Sequence, residues 1–101
     1  MNLGMNAYKP AFRANLQISG NTKLLDKDQV KHLKGMASEV GSDKDVIDIH
    51  LPYETRDDIG DVSVAGYVNG MLAQYTQRFE NNNVYRAAVS GLVNAKEVFG
   101  V

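Results

Sequence analysis

The sequence contains no cysteine and no tryptophan, only two prolines, and no long apolar run. Without cysteine there is no disulfide, no thiolate metal ligand and no cysteine nucleophile, and the redox compartment is unconstrained. No apolar stretch approaches the roughly 20 residues needed to span a bilayer, so no membrane association is expected. The amino-terminal MNLGMNAYKP lacks the basic-then-apolar layout of a signal peptide, and the expected location is cytoplasmic. Also missing are a Walker-type loop, G-x-G-x-x-G, H-E-x-x-H and G-x-S-x-G. These absences leave no positive sign of an enzyme, a cofactor or a metal, and none is expected.

What is present is an ordinary composition: 101 residues, 44% hydrophobic and 23% charged. That length and balance describe a single soluble domain with one modest core. The net charge of −1 is unevenly laid out, with +4 over residues 1–38, −6 over residues 39–61 and +1 over residues 62–101. An acidic middle is a poor electrostatic match to phosphate backbones and a better match to a basic protein surface.

The organising stretch is Val62 to Phe79. Asn69-Gly70 lies between two alternating apolar runs, and a type I′ turn needs φ > 0 at both central residues, which asparagine and glycine tolerate. Counting outward pairs Val68 with Met71, Gly66 with Ala73 and Val64 with Tyr75. These residues, with Val62, form one apolar face with a dip at Gly66 and Ala73 where a helix can approach. Ser63, Ala65, Tyr67, Leu72, Gln74, Thr76 and Arg78 fall on the other face. A helical reading of the stretch competes, because Val64, Val68, Met71, Leu72, Tyr75 and Phe79 also recur at helical spacing. Two interior glycines, each costing about 1 kcal/mol, and the β-branched and aromatic content favour the hairpin.

Residues 1–10 show no periodicity and read as a loose arm; residues 11–101 form the single domain. Ala11 to Ile18 alternates, with Phe12, Ala14, Leu16 and Ile18 on one side, which is a half-buried strand. Asp26 is a helix N-cap, Gln29 completes a capping box, and Leu25 with Val30 forms a hydrophobic staple. The buried stripe of that helix is Val30, Leu33, Met36, Ala37 and Val40, with Gly41 as its C′ residue and Gly35 marking a site of close packing. Val46 to Leu51 reads as a strand whose Ile47, Ile49 and Leu51 face the core while Asp48 and His50 face out; Pro52 ends it. Tyr53 to Asp61 is the longest polar loop and is expected to be the most mobile. The Asn81-Asn82-Asn83 run supplies an N-cap for a second helix, Val84 to Phe99, with Tyr85, Ala88, Val89, Leu92, Ala95 and Phe99 on its apolar face. The order β-α-β-β-β-α predicts an α+β two-layer sandwich. Its four-stranded sheet is largely antiparallel, with the first two strands parallel through a crossover and both helices on one face.

Four sets of residues carry the functional reading. The acidic loop holds Glu54, Asp57, Asp58 and Asp61, but its spacing matches no EF-hand and a solvated loop is the simpler account. Asp48 and His50 project from the same sheet face, where a carboxylate can orient an imidazole for acid–base work; no nucleophile or oxyanion hole accompanies them. Tyr67 and Leu72 are an aromatic–aliphatic pair on a face expected to meet water, rimmed by Gln74, Arg78, Asp48 and His50, and tyrosine is enriched at protein interfaces.

The fourth set is the lysines of the first helix. The helix-strand-strand-strand-helix order of residues 26–99 resembles that of double-stranded RNA-binding domains. That resemblance implies RNA contacts from the first helix, the loop after the first of the three strands and the start of the last helix. Lys27, Lys31 and Lys34 fit the first of these. The loop Glu54 to Asp61 is acidic, and the last helix opens Val84-Tyr85-Arg86 without a lysine cluster.

The leading expectation is a small non-enzymatic protein-interaction module, such as an inhibitor or accessory protein. It would use the exposed sheet face and the acidic loop, with a foreign protein or a second copy of itself as partner. A nucleic-acid-binding module using the first helix is the alternative, and a ligand-binding or acid–base site at Asp48 and His50 is the third reading.

Overall fold

The computed structural model describes residues 13–100. The arm expected over residues 1–10, and Ala11 and Phe12 of the expected first strand, lie outside the described residues. Six main elements follow one another: β1 (Asn15–Ser19), α1 (Lys27–Ala37), β2 (Val46–His50), β3 (Gly60–Val68), β4 (Met71–Phe79) and α2 (Val84–Phe99). A single turn of 3₁₀-helix, Thr22–Leu24, leads into α1. The strands form one four-stranded sheet in chain order, with β1 and β4 at its edges. β1 runs parallel to β2, whereas β2–β3 and β3–β4 are antiparallel. The expected α+β architecture and element order are those observed.

The hairpin is the one the alternation predicts. Asn69 has φ 54° and Gly70 φ 76°, the left-handed pair a type I′ turn requires, and the register pairs Val68 with Met71, Tyr67 with Leu72 and Val64 with Tyr75. Period-2 patterning holds in β2 and β3, where Ile47, Ile49, Val62, Val64 and Val68 are fully buried and Asp48, His50 and Tyr67 are exposed. β1 is shorter than expected. Ala14 is buried but precedes the strand, held instead by its N–H donating to the Val40 carbonyl at 2.9 Å.

α1 starts where its cap dictates. The Asp26 carboxylate accepts from the Gln29 N–H at 2.8 Å, and the Gln29 side chain accepts from the Asp26 N–H at 3.0 Å. Its end is earlier than the sequence implies. The last helical residue is Ala37, Ser38 is the C-cap, and Glu39 and Val40 close by tighter bonds to the Met36 and Ala37 carbonyls. Gly41, expected as the C′ residue, instead makes the left-handed turn toward β2 at φ 72°. Of the expected stripe, Leu33, Ala37 and Val40 are buried, while Val30 and Met36 are only partly so.

Gly35 does not mark close packing. It is exposed, and a methyl group placed on it would meet nothing within 4 Å among the described residues. Gly35→Ala is therefore expected to stabilise the protein by about 0.5–1 kcal/mol, the helix-propensity difference alone, read as a raised urea midpoint. No gain in midpoint would mean that the position is occupied by something.

α2 has the predicted limits, but its buried face is broader. Val84, Ala87 and Gly91 join Ala88, Leu92, Ala95 and Phe99 in the core, while Tyr85 and Val89 are only half-buried. Asn83 occupies the N-cap position yet makes no side-chain capping bond. The helix crosses the sheet where small residues allow it. A methyl on Gly91 would lie 2.8 Å from Val64 Cγ2, and one on Gly66 would lie 3.1 Å from Phe99 Cζ, which fills the expected dip. The carboxyl end of α2 is tied to the hairpin turn, since Asn69 Nδ2 donates to the Phe99 carbonyl at 3.0 Å. α1 contacts α2 through the His32 and Tyr85 rings, whose centroids are 5.9 Å apart, and Glu39, just past the end of α1, forms an ion pair with Lys96 of α2.

Met71 departs from the expected apolar wall, being 49% exposed. α2 ends with Phe99 over Gly66, two register pairs short of Met71, so the helix does not cover that side chain.

Candidate functional site

The face of the sheet opposite the core is built by register. Three rows cross it: Asn15, Val46, Tyr67 and Leu72; then Gln17, Asp48, Ala65 and Gln74; then Ser19, His50, Ser63 and Thr76. Arg78 and Asp61 form a further cross-strand pair beyond the third row. Every sheet residue expected in a partner site (Tyr67, Leu72, Gln74, Arg78, Asp48 and His50) lies on this one face and is exposed. The alternation of strands sets that outcome, because residues two apart on one strand and directly opposite on the next share a face.

The first row is the apolar one. Tyr67 is 64% exposed and Leu72 74% exposed, directly opposite each other in the register. In a two-residue hairpin the flanking pair, Val68 and Met71, is hydrogen-bonded, so Tyr67 and Leu72 form the next, non-hydrogen-bonded pair, whose side chains approach more closely.

The third row is polar and hydrogen-bonded. Ser19 Oγ and His50 Nδ1 are 2.9 Å apart, and Ser63 Oγ lies 3.4 Å from Thr76 Oγ1. The His50 ring also meets Tyr53 edge-on, with centroids 5.7 Å apart. Tyr53, itself 71% exposed, was not singled out by sequence because it sits in a polar loop outside any periodic segment. The partner of His50 is thus Ser19, supplied by the parallel pairing of β1 with β2, and not Asp48. The Asp48 carboxylate makes no hydrogen bond to the imidazole.

The acidic loop is a set of small ordered structures. Arg56 and Ile59 exchange backbone hydrogen bonds at 3.2 and 3.0 Å around Asp57 and Asp58, both left-handed at φ 55° and 61°. Asp and Asn are the non-glycine residues that adopt this conformation most readily. Asp58 is then bound on both sides by Asn82, whose N–H donates to the Asp58 carbonyl at 2.9 Å and whose Nδ2 donates to Oδ1 at 2.8 Å. Asn81 and Asn82 are left-handed too, both at φ 55°, so two tight turns interlock. The segment expected to be the most mobile loop is held at its tip by the asparagine run that precedes α2. Asp61 belongs to β3 and lies on the open face, while Glu54 is exposed before the turn. The four acids therefore do not converge. Among the described residues, no group of three or more acidic or histidine side chains could hold a metal ion.

Lys27, Lys31 and Lys34 are exposed on α1. The loop after β2 keeps its acids, and α2 opens Val84-Tyr85-Arg86, so the departures from the RNA-binding pattern persist in three dimensions. Among the described residues, no helix is long and apolar enough to cross a membrane. In comparisons with known proteins, no family model matches this chain, and neither a curated protein nor a solved structure is significantly similar to it.

Proposed function

We propose that this chain is a small, non-enzymatic interaction module that binds a protein partner through the open face of its sheet, with Tyr67 and Leu72 as the apolar anchor. The observation that carries this reading is the exposure of that directly opposed pair, 64% and 74%, on a face that no described element covers. Asp48 and Gln74 lie in the next row of the same face, with His50 and Arg78 further along it, so polar groups flank the apolar anchor on one side, as hydrogen-bonding groups flank apolar contacts in protein interfaces. Asp61 puts a negative charge on the same face, and Glu54 and Asp57 are exposed in the loop that leads into β3, charge that favours a partner with a basic patch. An inhibitor or accessory role fits such a surface.

The test uses two doubly substituted proteins. Tyr67→Ser with Leu72→Ser removes the anchor, and Lys27→Ser with Lys31→Ser alters the α1 lysines on the other side of the molecule. A specific protein captured by the wild type from its host extract is expected to be lost with the first variant and kept with the second, anchor residues typically contributing 2 kcal/mol or more, about thirtyfold in affinity. Capture that survives the first variant and fails with the second would instead assign binding to α1. If what is captured there is RNA, with affinity falling steeply as salt rises, the nucleic-acid reading replaces this one.

A further inference from the structure

Among the described residues, the edge formed by β4 has few of the features that prevent pairing. It is nine residues long, its register with β3 runs from Met71 to Phe79 without a bulge, it contains no proline and no lysine, and its one charge is Arg78 near its end. The other edge, β1, is only five residues long. Long, flat, neutral edges are templates for a further strand.

The hairpin geometry determines which backbone groups are on offer. Because the two-residue turn makes Val68 and Met71 a hydrogen-bonded pair, the odd-numbered residues of β4 bond inward to β3. The N–H and C=O groups of Leu72, Gln74, Thr76 and Arg78 then point outward, and none of them bonds to any described residue outside its own strand pairing. Beside this edge, between β4 and α2, lies an open cleft of about 370 Å³ lined in part by Gln77, Phe79, Ala87 and Ser90. At the opposite end of the same strand, Met71 stands 49% exposed.

We propose that β4 pairs antiparallel with β4 of a second copy of this chain, about a two-fold axis at Tyr75, joining the two sheets into one. The occupant is a second copy because this edge complements itself. Centred on Tyr75, the pairing overlaps the whole of Met71 to Phe79 and sets Leu72 opposite the partner copy's residue 78 and Gln74 opposite its residue 76. All four outward-facing residues are then hydrogen-bonded. On the helix side, the exposed Met71 comes opposite Phe79 of the other copy, at the mouth of the cleft, and the two copies of Tyr75 meet on the axis as a closely spaced aromatic pair. No charge faces its own sign, since Arg78 lies across from Leu72 and its aliphatic stem covers that exposed side chain. A contact limited to one strand pair and its flanking side chains is at the small end of stable interfaces, below about 1,200 Å², so the dimer is expected to dissociate at micromolar concentration. Tyr67, on β3, stays exposed on the open face of the joined sheet, whereas Leu72 lies beside Arg78 of the other copy, so Tyr67→Ser is the substitution that separates this dimer from the partner-binding reading.

The test is sedimentation equilibrium of the full chain from about 1 μM to about 1 mM, a span that brackets such an affinity. The wild type is expected to move from monomer to dimer across it. Gln74→Lys with Thr76→Lys opposes like charges at the paired positions, as does Gln74→Glu with Thr76→Glu. Each variant alone is expected to stay monomeric, with an unchanged circular dichroism spectrum, and an equal mixture is expected to form a heterodimer. Met71→Ala should weaken the wild-type dimer about tenfold, and Tyr67→Ser should leave it unchanged. A wild type that is monomeric throughout, charged variants that dimerise as well as the wild type, a mixture that fails to associate, or a dimer abolished by Tyr67→Ser would each overturn the proposal. The last outcome would place the self-contact on the open face instead.

Discussion

Gly20→Ala is expected to destabilise the protein by about 3–4 kcal/mol, the sum of an unfavourable backbone conformation and a steric overlap. Gly20 follows β1 at φ 87°, a region that residues with a side chain rarely adopt. A methyl group there would lie 1.9 Å from the Leu51 carbonyl oxygen and 2.8 Å from its carbon. These are backbone atoms of the residue that follows β2, and Leu51 also donates its N–H to the Ser19 carbonyl at 2.9 Å. Relief can come only by parting the end of β1 from β2. Among the described residues β1 is an edge strand whose strand neighbour is β2, so parting it exposes Ile18 and Leu16, which pack against the core. For a domain of this size the loss corresponds to a fall in Tm of more than about 12 °C. Gly70→Ala is the matching control. It has a similar φ of 76° but no atom within 4 Å of the added methyl, and should cost only the conformational part, about 1–2 kcal/mol. Equal losses in the two variants, measured by urea unfolding, would show that the Gly20–Leu51 approach is not what holds β1.

Gly91→Val carries the second large effect, about 3 kcal/mol of destabilisation from overpacking. The β-carbon alone would sit 2.8 Å from Val64 Cγ2 and 3.4 Å from Val64 Cβ. Val64 is fully buried in the interior strand β3, and its branched side chain has little freedom to turn away. α2 would have to lift from the sheet, weakening the Gln77 Nε2 to Ser90 Oγ hydrogen bond of 2.7 Å that lies one residue along the helix. The urea midpoint should fall, and hydrogen exchange should quicken first at amides of α2. A midpoint equal to the wild type would mean that the helix does not approach β3 at this point. The contrast with Gly35, a glycine inside the other helix with open space around it, makes the pair of substitutions a direct reading of which helix face touches the sheet.

Much of this protein is determined by short-range patterning. Asn69-Gly70 sets the turn, and the alternation around it puts Tyr67 opposite Leu72 with no reference to the rest of the chain. Asp26 and Gln29 start α1 by bonding to each other's backbone, three residues apart. In β2, the alternation of Ile47, Asp48, Ile49 and His50 separates core from surface by period alone. Since the open face is the set of residues left over by that alternation, its membership is legible in the sequence.

Contacts between residues distant in the chain decided the rest. Gly35 and Gly91 are each a glycine within a helical pattern; helical spacing puts Gly91 between Ala88 and Ala95 and Gly35 among polar residues, but how closely Gly91 approaches the sheet depends on the position of Val64. His50 could be paired on paper with its neighbour Asp48, but the parallel docking of β1 brings Ser19 to it instead. Asp58 looked like part of a free acidic loop until Asn82, 24 residues later, folded onto it. Met71 reads as a core residue by alternation and is exposed because α2 runs out above Gly66. In each case a local pattern says which way a side chain points, while what it meets there depends on where the ends of other elements fall. That is set by packing across the whole fold, and a single sequence does not encode it at any fixed spacing.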